Sequence, residues 1–314
     1  MTARTHPGAG RSSFLRGRTV IAVLVNPTAG RGRHRGVLTE VVERLRGAGE
    51  QVVQIAGESA EQAQQGCRDA VADGARALVA IGGDGTLHLA LQAVAERGIP
   101  LGIIPAGTGN DVATAVGVPA DPLAAADLIV AALLADRTTT IDLARIDGAG
   151  GETRWFAGVL GLGFDAIVNE RANRMRFPKG SSRYDVAIVL ELARLKARRY
   201  AITVDGVRHD QDAVLVAIGN TPSYGGGMRI CPAAVPTDGL SDLVIAGPVS
   251  RATLMRVKPR IYAGTHVSHP AVRQLRGKVI TIDAEGITGY ADGERALPLP
   301  ITVTAVPGAL TLLR

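Results

Sequence analysis

Two stretches decide how this chain folds: Ala77-Leu78-Val79-Ala80-Ile81-Gly82-Gly83-Asp84-Gly85-Thr86 and Leu101-Gly102-Ile103-Ile104-Pro105-Ala106-Gly107-Thr108-Gly109-Asn110-Asp111. Each is a short apolar run ending in a glycine-rich turn that carries Thr and Asp, and each leads into a helix-like pattern. Consecutive strand–turn–helix units of this kind place both turns on the same edge of a parallel sheet, where open α/β sheets bind ligands. Glycine lets a backbone approach phosphate oxygens, free amides at a helix start attract anions, and aspartate suits an accompanying divalent ion. The pair therefore points to nucleotide phosphates.

Working outward, Thr19–Val25 is a β-branched run that stops at a turn, and Gly36–Leu45 repeats apolar residues at the helix period. Gln51–Ile55, Ser59–Ala72, Leu78–Ile81, Thr86–Ala95 and Leu101–Ile104 continue the strand–helix alternation, which predicts a doubly wound parallel sheet. After the Ala-rich helix Leu123–Leu134 the texture changes. Thr138–Ile146, Thr153–Leu160, Tyr200–Val204, Val207–Ile218, Asp242–Ala246, Val279–Ile282 and Ile301–Val306 read as strands. They are separated by Asp-Gly or Gly-rich turns, with Asp205-Gly206 a good hairpin signal. Phe164–Asn173 and Tyr184–Lys196 read as helices. The expected fold class is α/β, a doubly wound N-terminal domain followed by a C-terminal antiparallel β-sandwich. Residues 1–18 form a basic tail, 19–138 with about 300–314 the α/β domain, and 139–299 the sandwich.

The chain has 314 residues, enough for two cores, and no run of 18 apolar residues that would span a membrane. Four of its six net positive charges are Arg4, Arg11, Arg16 and Arg18 in the tail, so the remainder is only mildly basic. With few aromatics and no recognised motif, nucleic-acid binding is unsupported. Cys67 and Cys231 lie far apart without metal-ligand spacing, which suits a reducing, cytoplasmic setting.

No Gly-Lys-Ser/Thr occurs, so the 82–86 loop is not a Walker A loop, nor does it fit the GxGxxG fingerprint. Without a Walker lysine, backbone amides and a metal ion must balance the phosphate charge. Asp111 also reads as a helix cap and Asp142 as an exposed strand residue. Asp292-Gly293 reads equally as a hairpin tip.

Together, Asn26-Pro27-Thr28-Ala29-Gly30, Gly82–Thr86 and Gly107–Asp111 resemble the diacylglycerol-kinase catalytic domain. Gly161–Ala166, Gly219-Asn220, Gly225–Met228, Asp238-Gly239-Leu240 and Asp292-Gly293-Glu294 extend the likeness to bacterial lipid kinases of the YegS type, from about residue 19 onward. The resemblance implies an NAD-kinase-like α/β domain facing a sandwich across a cleft. It implies ATP and Mg²⁺ as cofactors and a membrane lipid, most simply diacylglycerol, as substrate. By position it makes Asn26, Pro27, Thr28, Ala29, Gly30, Gly82, Gly83, Asp84, Gly85, Thr86, Gly107, Thr108 and Asn110 nucleotide contacts. Asp84, Asp111 and Asp142 become a catalytic Mg²⁺ network. Val235, Asp238 and Leu240 would hold a second, structural cation. Glu294 is the first candidate for proton acceptor, with Asp292 as its partner or the base itself.

Three positions depart from the family: His88-Leu89 replaces its usual Asn-Glu, Thr114 stands where some members have Arg, and Ala56 where it has Thr. His88 is read as a capping or packing residue. Arg171, Arg174, Arg176, Lys179 and Arg183, around Met175, Phe177 and Pro178, form a basic loop that suits either solvent or peripheral contact with an anionic inner leaflet. The basic end of the second helix, Arg194 to Arg199, needs only the helix dipole. A NAD-kinase-like small-molecule kinase and a non-catalytic nucleotide-binding regulator are the rival readings. A dimer is compatible with the sequence, which leaves oligomeric state open.

Overall fold

In the strands Val20–Val25 and Ala77–Gly82, alternate residues enter two different cores, as a sheet covered on both faces requires. A computed structural model of the chain describes residues 20–25, 35–47, 49, 51–55, 57–164 and 196–314, with residues 166, 168, 171, 175, 186 and 190 between the last two spans. The tail 1–18, the Asn26–Gly30 turn, Ala56, Asp165, Arg194, most of the basic loop (Arg174, Arg176, Phe177, Pro178, Lys179 and Arg183) and most of the two helices expected over 164–196 lie outside the described residues.

The first half runs β1 (Val20–Val25), α1 (Arg35–Gly47), β2 (Gln51–Ile55), α2 (Ala60–Ala72), β3 (Ala77–Gly82), α3 (Asp84–Val94), β4 (Leu101–Pro105), α4 (Asp111–Ala115) and α5 (Pro122–Leu134). The pairs β1–β2, β1–β3 and β3–β4 are all parallel. Leu24 and Leu78 meet Cys67, Leu91 and Val94 of α2 and α3 on one face. Ile21 and Val79 meet Leu45 and Ile129 of α1 and α5 on the other. This is the expected doubly wound sheet. Asp121 caps α5 by accepting from the Leu123 and Ala124 amides, and Ser59 caps α2 through the Gln62 amide.

The second half runs β5 (Thr139–Gly148), β6 (Thr153–Phe156), β7 (Val159–Gly163), β8 (Arg198–Val204), β9 (Val207–Arg208), β10 (Gln211–Ala213), β11 (Leu215–Gly219), β12 (Ser241–Ala246), α6 (Arg251–Tyr262), β13 (Val272–Gly277), β14 (Val279–Asp283), β15 (Thr288–Ala291), β16 (Glu294–Pro298) and β17 (Ile301–Leu312). A six-stranded sheet has the order β13-β12-β11-β7-β15-β16. It packs on the antiparallel part of the larger sheet. Leu160, Leu162, Val216, Ile218, Leu243 and Ile245 meet Ile146, Tyr200, Ile202, Ile280, Ile282 and Val303 in one fully buried layer. Burying each such side chain contributes about 1.5–3 kcal/mol, so this layer is the glue of the sandwich.

Strand β17 joins the halves. It pairs antiparallel with β5 and β14 and parallel with β4, and so lies between β14 and β4 in the larger sheet. It extends to Leu312, six residues beyond the Ile301–Val306 strand expected. Cys67 and Cys231 are free and buried, and burial pushes the Cys67 thiol up to about 12.

Candidate active site

The two glycine loops meet as expected. A Cβ built on Gly107 would lie 2.4 Å from the Gly83 Cα, so only glycine at 107 permits this approach. Asn110, itself left-handed (φ 56°), fixes the loop: its Oδ1 accepts from the Gly107 amide and its Nδ2 donates to the Gly107 carbonyl, both at 3.1 Å. Its side chain thus shapes the loop directly. Thr86 is buried and its hydroxyl has no hydrogen-bond partner among the described residues. A hydroxyl without a partner in the first turn of α3, at a helix start, suits an anionic ligand oxygen. Thr108 is exposed on the second loop.

Asp84 opens α3 and reaches across to α4, accepting from the amides of Asp111 and Val112 at 3.3 Å each. Asp111 in turn accepts from Gly226 and Gly227 at 2.7 Å each, tying the first loop pair to the Gly225–Met228 segment of the second half. Gly109 lies against both carboxylates. Burial, and then the charge of Asp111, raise the Asp84 pKa, with Asp292 adding to the effect. A divalent cation would relieve that repulsion, so the residues fit Mg²⁺ held largely through its own waters.

Asp142 is held by a different set of amides. Its oxygens accept from Gly239 (2.7 Å) and Gly308 (2.9 Å), so it laces the 236–240 loop to β17. It is 4% exposed, unlike the exposed strand residue that one reading expected. Among the described residues no three His, Cys, Asp or Glu side chains converge as a ready metal cluster. The Val235, Asp238, Leu240 set also differs from a cation site. Asp238 accepts from the Leu240 amide and is ion-paired with Arg276, which also donates to Asp242 at 3.2 Å. The Val235 carbonyl accepts from the Thr237 amide. In this arrangement the Asp238 carboxylate is engaged by a guanidinium that it shares with Asp242.

Asp292 and Glu294 take different places. Asp292-Gly293 (φ 53° and 85°) is the two-residue turn between β15 and β16. The Asp292 side chain, 2% exposed, accepts from Gly158 (2.8 Å) and Ala157 (3.1 Å), and His88 Nδ1 is 3.2 Å away. Glu294 is exposed and points at the start of α3, where a Cβ on Gly85 would be 2.8 Å from its Oε1. Gln92 adds reciprocal bonds to the Trp155 backbone at 2.7 and 3.0 Å. Gly85, His88 and Gln92 stand at i, i+3 and i+7, a single stripe of α3 turned to the second half. His88 is thus part of the junction and not a simple cap. The available signal was the polar pair His88 and Gln92, four residues apart in an otherwise apolar stretch of the helix.

Residues 20–146 match the family described as "Diacylglycerol kinase catalytic domain", and residues 158–314 the "YegS C-terminal NAD kinase beta sandwich-like domain". A "Diacylglycerol kinase" of Mycobacterium tuberculosis (strain ATCC 25618 / H37Rv) is 44% identical over 296 residues, 94% of each chain. A "Probable lipid kinase YegS-like" of Klebsiella pneumoniae (strain 342) is 32% identical over 69% of this chain and 71% of its own. A crystal structure of a diacylglycerol kinase from Bacillus anthracis str. Sterne superposes with a TM-score of 0.69 at 22% identity, covering 94% of this chain and 96% of that one, a likeness of fold. The chain belongs to the diacylglycerol kinase family of lipid kinases.

Proposed function

We propose that this protein transfers the γ-phosphoryl group of ATP, with Mg²⁺, to the free hydroxyl of diacylglycerol, giving phosphatidic acid and ADP. The observation that carries this reading is the meeting of three elements: the Gly83/Gly107 contact, the Asp84–Asp111 pair and the Glu294 carboxylate at Gly85. The loop amides and the Thr86 hydroxyl would cradle phosphate oxygens. Mg²⁺, beside Asp84 and Asp111, would offset the negative charge on the transferring group. The lipid oxygen bonds to the γ-phosphorus as the bond to the ADP oxygen breaks, and Glu294 takes the hydroxyl proton. Asp292 is better suited to anchoring than to proton transfer, because backbone amides and His88 already occupy its oxygens. Glu294 is exposed. Among the described residues no helix is long and apolar enough to cross a membrane, and we place the protein in the cytoplasm, meeting its substrate peripherally.

Mass spectrometry of a native lipid extract incubated with protein, Mg²⁺ and labelled ATP tests the reading. Label in phosphatidic acid supports it. Label in NAD alone, with no lipid product, would replace it by the small-molecule kinase reading. Asp84→Asn should lower turnover by at least about 100-fold and abolish stabilisation by ATP with Mg²⁺.

A further inference from the structure

Asn220, the residue after β11, is 0% exposed. Its carboxamide nitrogen donates to two main-chain carbonyls far apart in sequence, Asp142 in β5 at 2.9 Å and Ala157 at 2.8 Å. The arrangement is chemically exacting. Among uncharged side chains of this size only asparagine carries two donors on one atom, since serine donates once and an ionised aspartate only accepts. The main chain adds to the grip, the Asn220 and Thr221 amides both donating to the Gly158 carbonyl, at 2.9 and 3.2 Å.

Ala157-Gly158 is where β6 ends in one sheet and β7 begins in the other, and this break is held from two sides. Asp292 accepts from its amides, while Asn220 and Thr221 donate to its carbonyls. Asp292 opens the turn that leads directly to Glu294. A second arm runs from Asn220 along the chain. The Cys231 amide donates to the Pro222 carbonyl at 3.1 Å, Tyr224 and Met228 form a β-bridge, and at the tip the Gly226 and Gly227 amides hold Asp111. One enclosed side chain thus stands where a path to the candidate proton acceptor meets a path to the candidate metal-binding carboxylate.

We propose that Asn220 is a positioning residue for phosphoryl transfer, setting the Glu294 and Asp111 carboxylates relative to each other through the 157–158 break and the 221–228 segment. It acts through main-chain groups at both ends. The loops at 82–86 and 107–110 receive no bond from its side chain, so ATP binding is independent of it. The roles of Glu294 and Asp111 come from the kinase reading above, on which the proposal rests.

Asn220→Ala removes the donor from two enclosed carbonyls. Its kcat should fall by about 100-fold, the effect of displacing a reacting group by about 1 Å, while KM for ATP and the stabilisation by Mg²⁺ and ATP stay close to wild type. Made in a Glu294→Gln background, the same substitution should lower kcat by no more than about two-fold further, because the group it positions is already gone. Thr221→Val, at an equally enclosed neighbour whose hydroxyl has no partner, should leave kcat unchanged. Equal losses in the two backgrounds, a wild-type kcat in folded Asn220→Ala, or a matching loss in Thr221→Val overturn the proposal. Hydrogen exchange followed by mass spectrometry adds a readout without turnover. In Asn220→Ala, exchange should rise over 156–160 and 224–228 and stay as in the wild type over 77–94. A rise spread evenly along the chain, or confined to one of the two arms, would make Asn220 a packing residue alone. Should Asn220→Ala fail to fold, Asn220→Ser, which keeps one donor, carries both measurements. Absence of lipid phosphorylation by the wild type would count against the kinase reading, and the exchange pattern would still decide whether Asn220 joins the two arms.

Discussion

Asp205-Gly206 and Asp292-Gly293 have the same backbone, with φ of 47° and 84° in the first and 53° and 85° in the second, the type I′ signature of a tight hairpin. In both, the Asp carboxylate also takes two successive amides from a neighbouring stretch. Asp205 takes those of Lys278 and Val279, and Asp292 those of Ala157 and Gly158. The difference lies in what faces them. Asp205 is exposed at the rim of the sandwich, whereas Asp292 is enclosed and meets His88 of α3, with Glu294 two residues on at Gly85. A turn sequence thus specifies a conformation and a local grip. What such a turn can serve depends on the second element that it is set against.

The comparison can be broken most directly at Glu294. Glu294→Gln should lower kcat by at least about 100-fold with little change in melting temperature, while Arg208→Gln beside the other turn should leave kcat alone. Steady-state kinetics and a thermal melt of each variant decide it. Next, Asp292→Ala removes a buried acceptor of two amides and should cost about 2–3 kcal/mol of stability and most activity. Asp205→Ala should cost about 1 kcal/mol, lower because its amides can turn to water, and leave kcat/KM unchanged. Urea unfolding followed by assay of the folded variants separates the two. Equal activity losses would mean that both turns act only through the fold. The smallest effect expected is at His88. His88→Leu should lower kcat about ten-fold without changing KM for ATP, and His88→Asn, whose amide nitrogen can replace Nδ1, should restore most of it. Failure of the Asn variant to rescue would make His88 a packing residue.

The same contrast explains what could be read in advance. In the first half the period of apolar residues is local information, and the strands, helices and both glycine loops stand close to where that period puts them. In the second half, contacts distant in sequence cut across it. Thr153–Leu160 reads as one strand but divides at Ala157-Gly158, with β6 in one sheet and β7 in the other. Asp292 grips that break, and a Cβ on Gly158 would lie 2.6 Å from its Oδ1. Val207–Ile218 likewise becomes three strands. β13 (Val-Arg-Gln-Leu-Arg-Gly) breaks the two-residue alternation, β15 and β16 are short, and no residue of α6 is fully buried, so none gives a strong periodic signal. At the site, the meeting of the two glycine loops was legible from glycine spacing. The roles of Asp142 and Asp238 were not, because their partners Gly308 and Arg276 come from strands far along the chain.

The position of β17 bears on how the protein is made. β4 keeps an unpaired edge until residues 301–312 emerge from the ribosome, so the first half must wait, incomplete, through the synthesis of almost the whole sandwich. Nascent chains stalled before that strand should bind holdase chaperones and resist co-translational compaction, and a gene cut between the halves should yield two insoluble pieces that recover only when expressed together.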